Sequence, residues 1–173
     1  MKAKIRALII LLILCVFFAL LYALLPGKKP APAELQGADE TFLITDIPVS
    51  EVLAMAVSNS YGSFGILNSP DGIRAVSHID GQYSASQLRA FVYIASHLSG
   101  RLLDIEIGLD DIANSIARIT LILTGSREIN FAILRKSPVG EDYFLFSEEH
   151  QSVFRISGTY AEWFLYSAED FLE

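Results

Sequence analysis

The 173-residue chain has a single cysteine, Cys15, and it lies inside an uncharged apolar run. One thiol excludes an intramolecular disulfide and a zinc site built on cysteine pairs. A lipoprotein signal places a small residue before its cysteine and ends the apolar run there. Here Leu14 precedes Cys15 and the run continues, so Cys15 reads as a small buried hydrophobe. Acidic residues are absent before Glu34. All twenty Asp and Glu lie at or beyond that position, against eight Arg or Lys between Arg74 and Arg155, which leaves this part of the chain near −12. Such a balance disfavours nucleic acid and anionic headgroups as direct ligands and keeps a domain soluble.

Motifs that carry chemistry are also missing. There is no G-x-S-x-G elbow, and Gly62-Ser63-Phe64-Gly65 lacks the lysine and the spacing of a phosphate loop. None of His78, His97 and His150 stands at metal-ligand spacing from another histidine or a carboxylate. His150 follows Glu148 and Glu149 in a predicted hairpin tip and reads as solvated. His97 falls late in a predicted helix, where the C-terminal dipole suits it. Asp110-Asp111 and Glu169-Asp170 are adjacent pairs, which point roughly 100° apart on a helix and read as solvated faces. The expectation is a non-enzymatic protein with no catalytic residue, no cofactor and no metal.

What is present is, first, a membrane-length segment. Ala7 to Leu25 carries no charge and no helix breaker. At 1.5 Å per residue it reaches roughly 28 Å, close to the ~30 Å hydrocarbon core of a bilayer. A cleaved signal has a shorter core and a prompt cleavage site. Ala31-Pro32-Ala33 has the right form but is displaced by a spacer, so the segment reads as an uncleaved anchor. Lys2, Lys4 and Arg6 precede it, and Lys28 and Lys29 follow. With a short N-terminus and a long acidic remainder, the expected orientation is N-terminus inside and C-terminal domain outside. The expected organisation is a cytoplasmic stretch 1–6, a transmembrane anchor 7–25, a Pro/Ala/Gly-rich semi-rigid linker 26–40 and an extracytoplasmic domain 41–173.

The domain reads as α+β: strands, helix, strands, helix, with mainly antiparallel pairing and two packed helices. Thr41 to Ile47 is an edge piece or a loop. Val52 to Ser58, Phe64 to Leu67 and Ile73 to Val76 form a predicted meander, with turns at 60–63 and Ser69-Pro70-Asp71-Gly72. Ser84 and Gln87 have the spacing of a capping box. Leu88, Phe91, Val92, Ala95 and Leu98 then repeat at helical spacing, and Gly100 closes the predicted helix. Arg101 to Gly108 alternates like a strand with one wet face, and Leu109 to Ser115 reads as a turn or short helix. Ala117 to Leu123, Glu128 to Leu134, Tyr143 to Phe146 and Ser152 to Ile156 are strand candidates, and Thr159 to Phe171 is a predicted closing helix. The order hints at a loose structural duplication, without a sequence repeat.

Tyr160, Trp163, Phe164, Tyr166 and Phe171 crowd this last segment. Residues 160, 163, 164 and 171 can share one helical face, with Tyr166 elsewhere. They read either as helix-to-sheet core or as an exposed aromatic patch for a partner protein or the outer membrane leaflet. Tyr160, Trp163, Phe164 and Tyr166 are the candidate partner-contact residues.

Several features together carry a resemblance: the anchor, the meander from Gly62 to Gly72, the helix start at Ser84, the run ITLILTGSREINFAIL, and the Pro138-Val139-Gly140 loop. Asp142-Tyr143-Phe144, Val153-Phe154-Arg155-Ile156 and the terminal Asp170-Phe171-Leu172 complete it. Over roughly residues 45–173 the chain resembles the domain-of-unknown-function 4340 family of bacterial membrane-anchored proteins. It departs from such domains at Asp111 to Ser115, where they often carry Gly-Leu-x-x-Pro. The resemblance implies an extracytoplasmic α+β domain, associated in some members with ABC-type export systems, and it carries no functional residue over. The leading expectation is a membrane-tethered interaction module with a membrane or envelope protein partner. The alternatives are a domain binding a small molecule or envelope polymer, which needs a concave pocket, and an envelope-acting enzyme, which needs converging carboxylates.

Overall fold

The computed structural model describes residues 41–173. The anchor 7–25, Cys15 and the linker 26–40 lie outside the described residues. Among the described residues no helix is long and apolar enough to cross a membrane.

The described part is mainly antiparallel sheet with a few helices. Nine strands lie in the order β1-β5-β9-β8-β7-β6-β2-β3-β4. They are β1 (Phe42–Leu43), β2 (Val52–Asn59), β3 (Gly62–Ser69), β4 (Gly72–Val76), β5 (Ser99–Leu103), β6 (Ala117–Leu123), β7 (Glu128–Lys136), β8 (Tyr143–Ser147) and β9 (Ser152–Ile156). The helices are α1 (Ala85–Ser96), α2 (Leu109–Ala113) and α3 (Gly158–Phe164). Two local meanders, β2-β3-β4 and β6-β7-β8-β9, meet where β2 pairs with β6. Each meander follows from alternating apolar residues and short turns. At Ser69-Pro70-Asp71-Gly72 the turn needs Gly72, whose φ is +132°.

The same alternation sorts side chains onto two faces. Met55, Val57, Phe64, Ile66, Ile119, Leu121, Phe131, Ile133, Leu145 and Ile156 are buried on one face. They pack in one cluster with Leu88, Phe91, Val92, Ala95 and Leu98 of α1 and its end, and with Ala161 and Phe164 of α3. Burying each large apolar side chain contributes about 1.5–3 kcal/mol. On the other face, Ala132, Leu134, Phe146 and Val153 form a smaller cluster under Ile105, Ile107 and Ile112. β7 is therefore covered on both faces at its centre, which is why Phe131-Ala132-Ile133-Leu134 is buried without alternation.

Several expectations change. Ser84 precedes α1, but its side chain makes no cap; its Oγ sits 3.0 Å from Ser86 Oγ. The helix start is held instead by the Ser84 N–H, which donates to Phe171 O at 2.8 Å. α1 also stops before Gly100, because the segment after β1 caps it. Ile44 and Thr45 N–H donate to Leu98 O, and Ile47 N–H donates to Ser96 O. Thr45 Oγ1 donates to Ala95 O and accepts from Leu98 N–H. Gly100 lies within β5, where a Cβ would stand 2.8 Å from Arg155 O. Strand pairing ends at Leu103, although the alternation of burial continues through Ile107. The closing helix is two pieces. α3 ends at Phe164, and a 3-10 turn covers Ala168–Phe171. His150 stands exposed at the hairpin tip, as expected; in addition its Nε2 donates to Ile44 O at 3.0 Å and its ring meets Phe154 edge-on.

Candidate functional site

The break between α3 and the last turn shapes a cleft. Leu165, Tyr166 and Ser167 pass beside the turn that joins β2 to β3, and together they border a cleft of about 480 Å³. Asn59, at the end of β2, fixes the two sides relative to each other. Its Nδ2 donates to Phe164 O at 3.1 Å and to Tyr166 O at 2.8 Å, and its Oδ1 accepts the Tyr61 N–H at 2.9 Å. The last turn is set by Asp170, whose Oδ2 accepts from both the N–H and the Oγ of Ser167.

Two tyrosines stand on this frame. Tyr61 is 70% exposed and Tyr166 is 37% exposed. The Tyr166 ring is braced against Trp163, with centroids 5.6 Å apart, and against Phe171 at 6.0 Å. His78 and Glu169 also line the cleft, and no Lys or Arg does. The cleft thus offers aromatic faces, an imidazole, phenol hydroxyls and the carboxylates of Glu169 and Asp170, the latter already bound to Ser167, a set that suits a neutral or cationic group. Among the described residues no group of three or more His, Asp or Glu is placed to hold a metal ion.

The candidate contact residues separate. Phe164 lies wholly in the core, 5.5 Å from the Phe91 ring, so it leaves the contact set. An α3 only seven residues long points it at the sheet. Trp163 is half-buried between Phe91 and Tyr166 and supports the cleft wall. Tyr160 is 37% exposed and shares none of these ring contacts. Tyr166 alone of the four lines the cleft. Sequence reasoning missed Asn59, Tyr61 and His78 as parts of one site. Tyr61 in a polar turn was the available signal, since a large aromatic at a turn tip is exposed by its place in the chain. No family model matches the chain, and neither a curated protein nor a solved structure matches it.

Proposed function

We propose that this protein is a single-pass, membrane-anchored, non-enzymatic interaction module whose folded domain lies outside the membrane and contacts a membrane or envelope protein. The observation that carries the reading is the pair of exposed tyrosines at the cleft, Tyr61 on a turn whose N–H is bound by Asn59, and Tyr166 with its carbonyl bound by Asn59 and its ring packed on Trp163. Rigid tyrosines give large contact area at low entropic cost, and they are enriched where protein surfaces meet. The apolar segment 7–25, its basic flank and the acidic remainder supply the tether and the orientation. The resemblance to the 4340 family makes ABC-type export systems the first setting to examine.

Two measurements test this. With Cys15 replaced by alanine, Leu109→Cys, at a site 85% exposed, is expected to react with a membrane-impermeant maleimide on intact cells. Reaction only after lysis contradicts the orientation. Affinity purification from detergent-solubilised membranes is expected to recover a partner that Tyr61→Ala with Tyr166→Ala releases. A partner retained equally by the double variant removes the tyrosine surface from the account.

The cleft also favours a second reading, capture of a small molecule or envelope polymer, because its volume falls within the range of ligand sites. Envelope oligosaccharides that raise the melting temperature of the wild type but not of Tyr166→Ala would select this reading. No shift with any of them removes it.

A further inference from the structure

We propose that the outer edge of β4 receives an extended peptide segment of the partner protein as an added strand, with an acidic side chain on one side and an apolar one on the other. This rests on the interaction reading and specifies how a partner is held.

β4 ends the sheet and pairs only with β3. Ser69 and Gly72 flank the two-residue loop Pro70-Asp71 and set the phase of the ladder. In an antiparallel ladder alternate residues turn their main-chain groups to the partner strand. Gly72, Arg74 and Val76 therefore face β3, and Ile73 and Ala75 turn their N–H and C=O outward. No other hydrogen bond takes these groups among the described residues. Natural edges are blunted by shortness, lysine, proline or a bulge. The opposite edge, β1, has two residues. β4 has five, with no proline and an unbroken register.

A groove of about 370 Å³ runs along this edge. It is lined by Ile73, Arg74 and Ala75 of the strand and by Ile79, Asp80 and Tyr83 of the segment leading into α1. That far wall is already fixed. Tyr83 Oη donates to Ile79 O at 2.7 Å, Ile79 N–H donates to Ser77 Oγ, and Tyr83 bridges to Leu172. An added strand meets a different chemistry on each face. Opposite Ala75, a side chain enters the groove against Ile73 and Ile79. Opposite Arg74, it lies on the open face of the sheet. Arg74 is exposed and makes no ion pair among the described residues, in a part of the chain carrying twenty acids and eight bases. A carboxylate directly across from it gains the cross-strand pairing of opposite charges.

The test uses full-length protein in detergent micelles and two fluorescein-labelled peptides, Val-Glu-Val-Glu-Val and Val-Lys-Val-Lys-Val, read by fluorescence anisotropy. The glutamate peptide is expected to bind saturably, and the lysine peptide at least tenfold more weakly. Arg74→Glu is expected to reverse that order. N-methylation of alternate peptide amides and Ala75→Pro each remove strand hydrogen bonds, and each is expected to weaken binding at least tenfold. Proline is tolerated where an edge N–H points outward; should that variant not fold, the N-methylated peptide carries the same test. Absence of saturable binding at millimolar peptide overturns the proposal, as does equal binding of the N-methylated peptide. A concentration-dependent dimer that Ala75→Pro dissolves overturns it in favour of self-association. A partner crosslinked only at Tyr61 or Tyr166 overturns the edge site and leaves the interaction reading standing. Absence of a specific crosslink from every face overturns the interaction reading itself.

Discussion

Thr45 shows how much a single hydroxyl can decide. It is buried, and its Oγ1 both donates to Ala95 O at 3.0 Å and accepts from Leu98 N–H at 2.8 Å. Thr45→Val keeps the shape and removes both bonds. Because it strands a buried backbone N–H, it is expected to cost about 1–3 kcal/mol. Urea unfolding of a soluble fragment 39–173 would measure this, provided the fragment's wild-type form unfolds cooperatively; a change under about 0.3 kcal/mol would contradict the cap. Asn59 plays the matching part at the cleft, where one side chain holds two carbonyls and one N–H. Neither residue announces its role in sequence. Apart from the Tyr61 N–H, their partners are 50 to 107 positions away, and no local pattern encodes such a distance. Ser167 and Asp170 differ in this respect. Their spacing of three is a visible start signal for a new turn, and it marks where the long closing helix expected from Thr159 to Phe171 divides.

At the scale of elements, what was legible followed periodicity. Ala117 to Leu123 is a strand with the expected bounds because it is rich in β-branched residues, its buried residues Ala117, Ile119, Leu121 and Leu123 alternate, and a glycine turn ends it. Leu88, Phe91, Val92, Ala95 and Leu98 are all buried, as their helical spacing requires. The end of α1 was not legible, because chain from the other side of the helix caps it. Gly100 was read as a helix stop, yet it serves close packing in β5. A Cβ there would meet Arg155 O at 2.8 Å, Ile156 Cγ2 at 3.0 Å and Ile44 Cδ1 at 3.1 Å. Gly100→Ala is expected to destabilise by about 1–3 kcal/mol, and to loosen β1, which pairs at this position. Amide exchange would show it as faster exchange at Thr45 and Leu98 than at Leu121 in the same variant. Equal acceleration across all three would contradict that local account.

For the whole molecule, the class of fold was readable and the order of strands was not. Alternation and turns identify two meanders, but the pairing of β2 with β6 that fuses them is a long-range choice. So is the placement of the Tyr61 turn against Tyr166, which creates the cleft. The aromatic cluster at the C-terminus was visible as composition. Its division into core (Phe164 and Phe171), support (Trp163) and rim (Tyr166) needed the packed structure. The tether and the surface then join in one picture. In the function proposed above, the apolar segment 7–25 holds the chain at a membrane, and the acidic remainder presents a tyrosine-rimmed cleft and an open strand edge.

Photo-crosslinking in native membranes tests that picture most directly. A benzophenone amino acid is placed in turn at Tyr61, Tyr166, Arg74 and the well-exposed Leu109. The account predicts a discrete adduct of a single partner from the cleft rim or the β4 edge, and none from Leu109. Adducts of the same pattern from all four positions, or none from any, would contradict it.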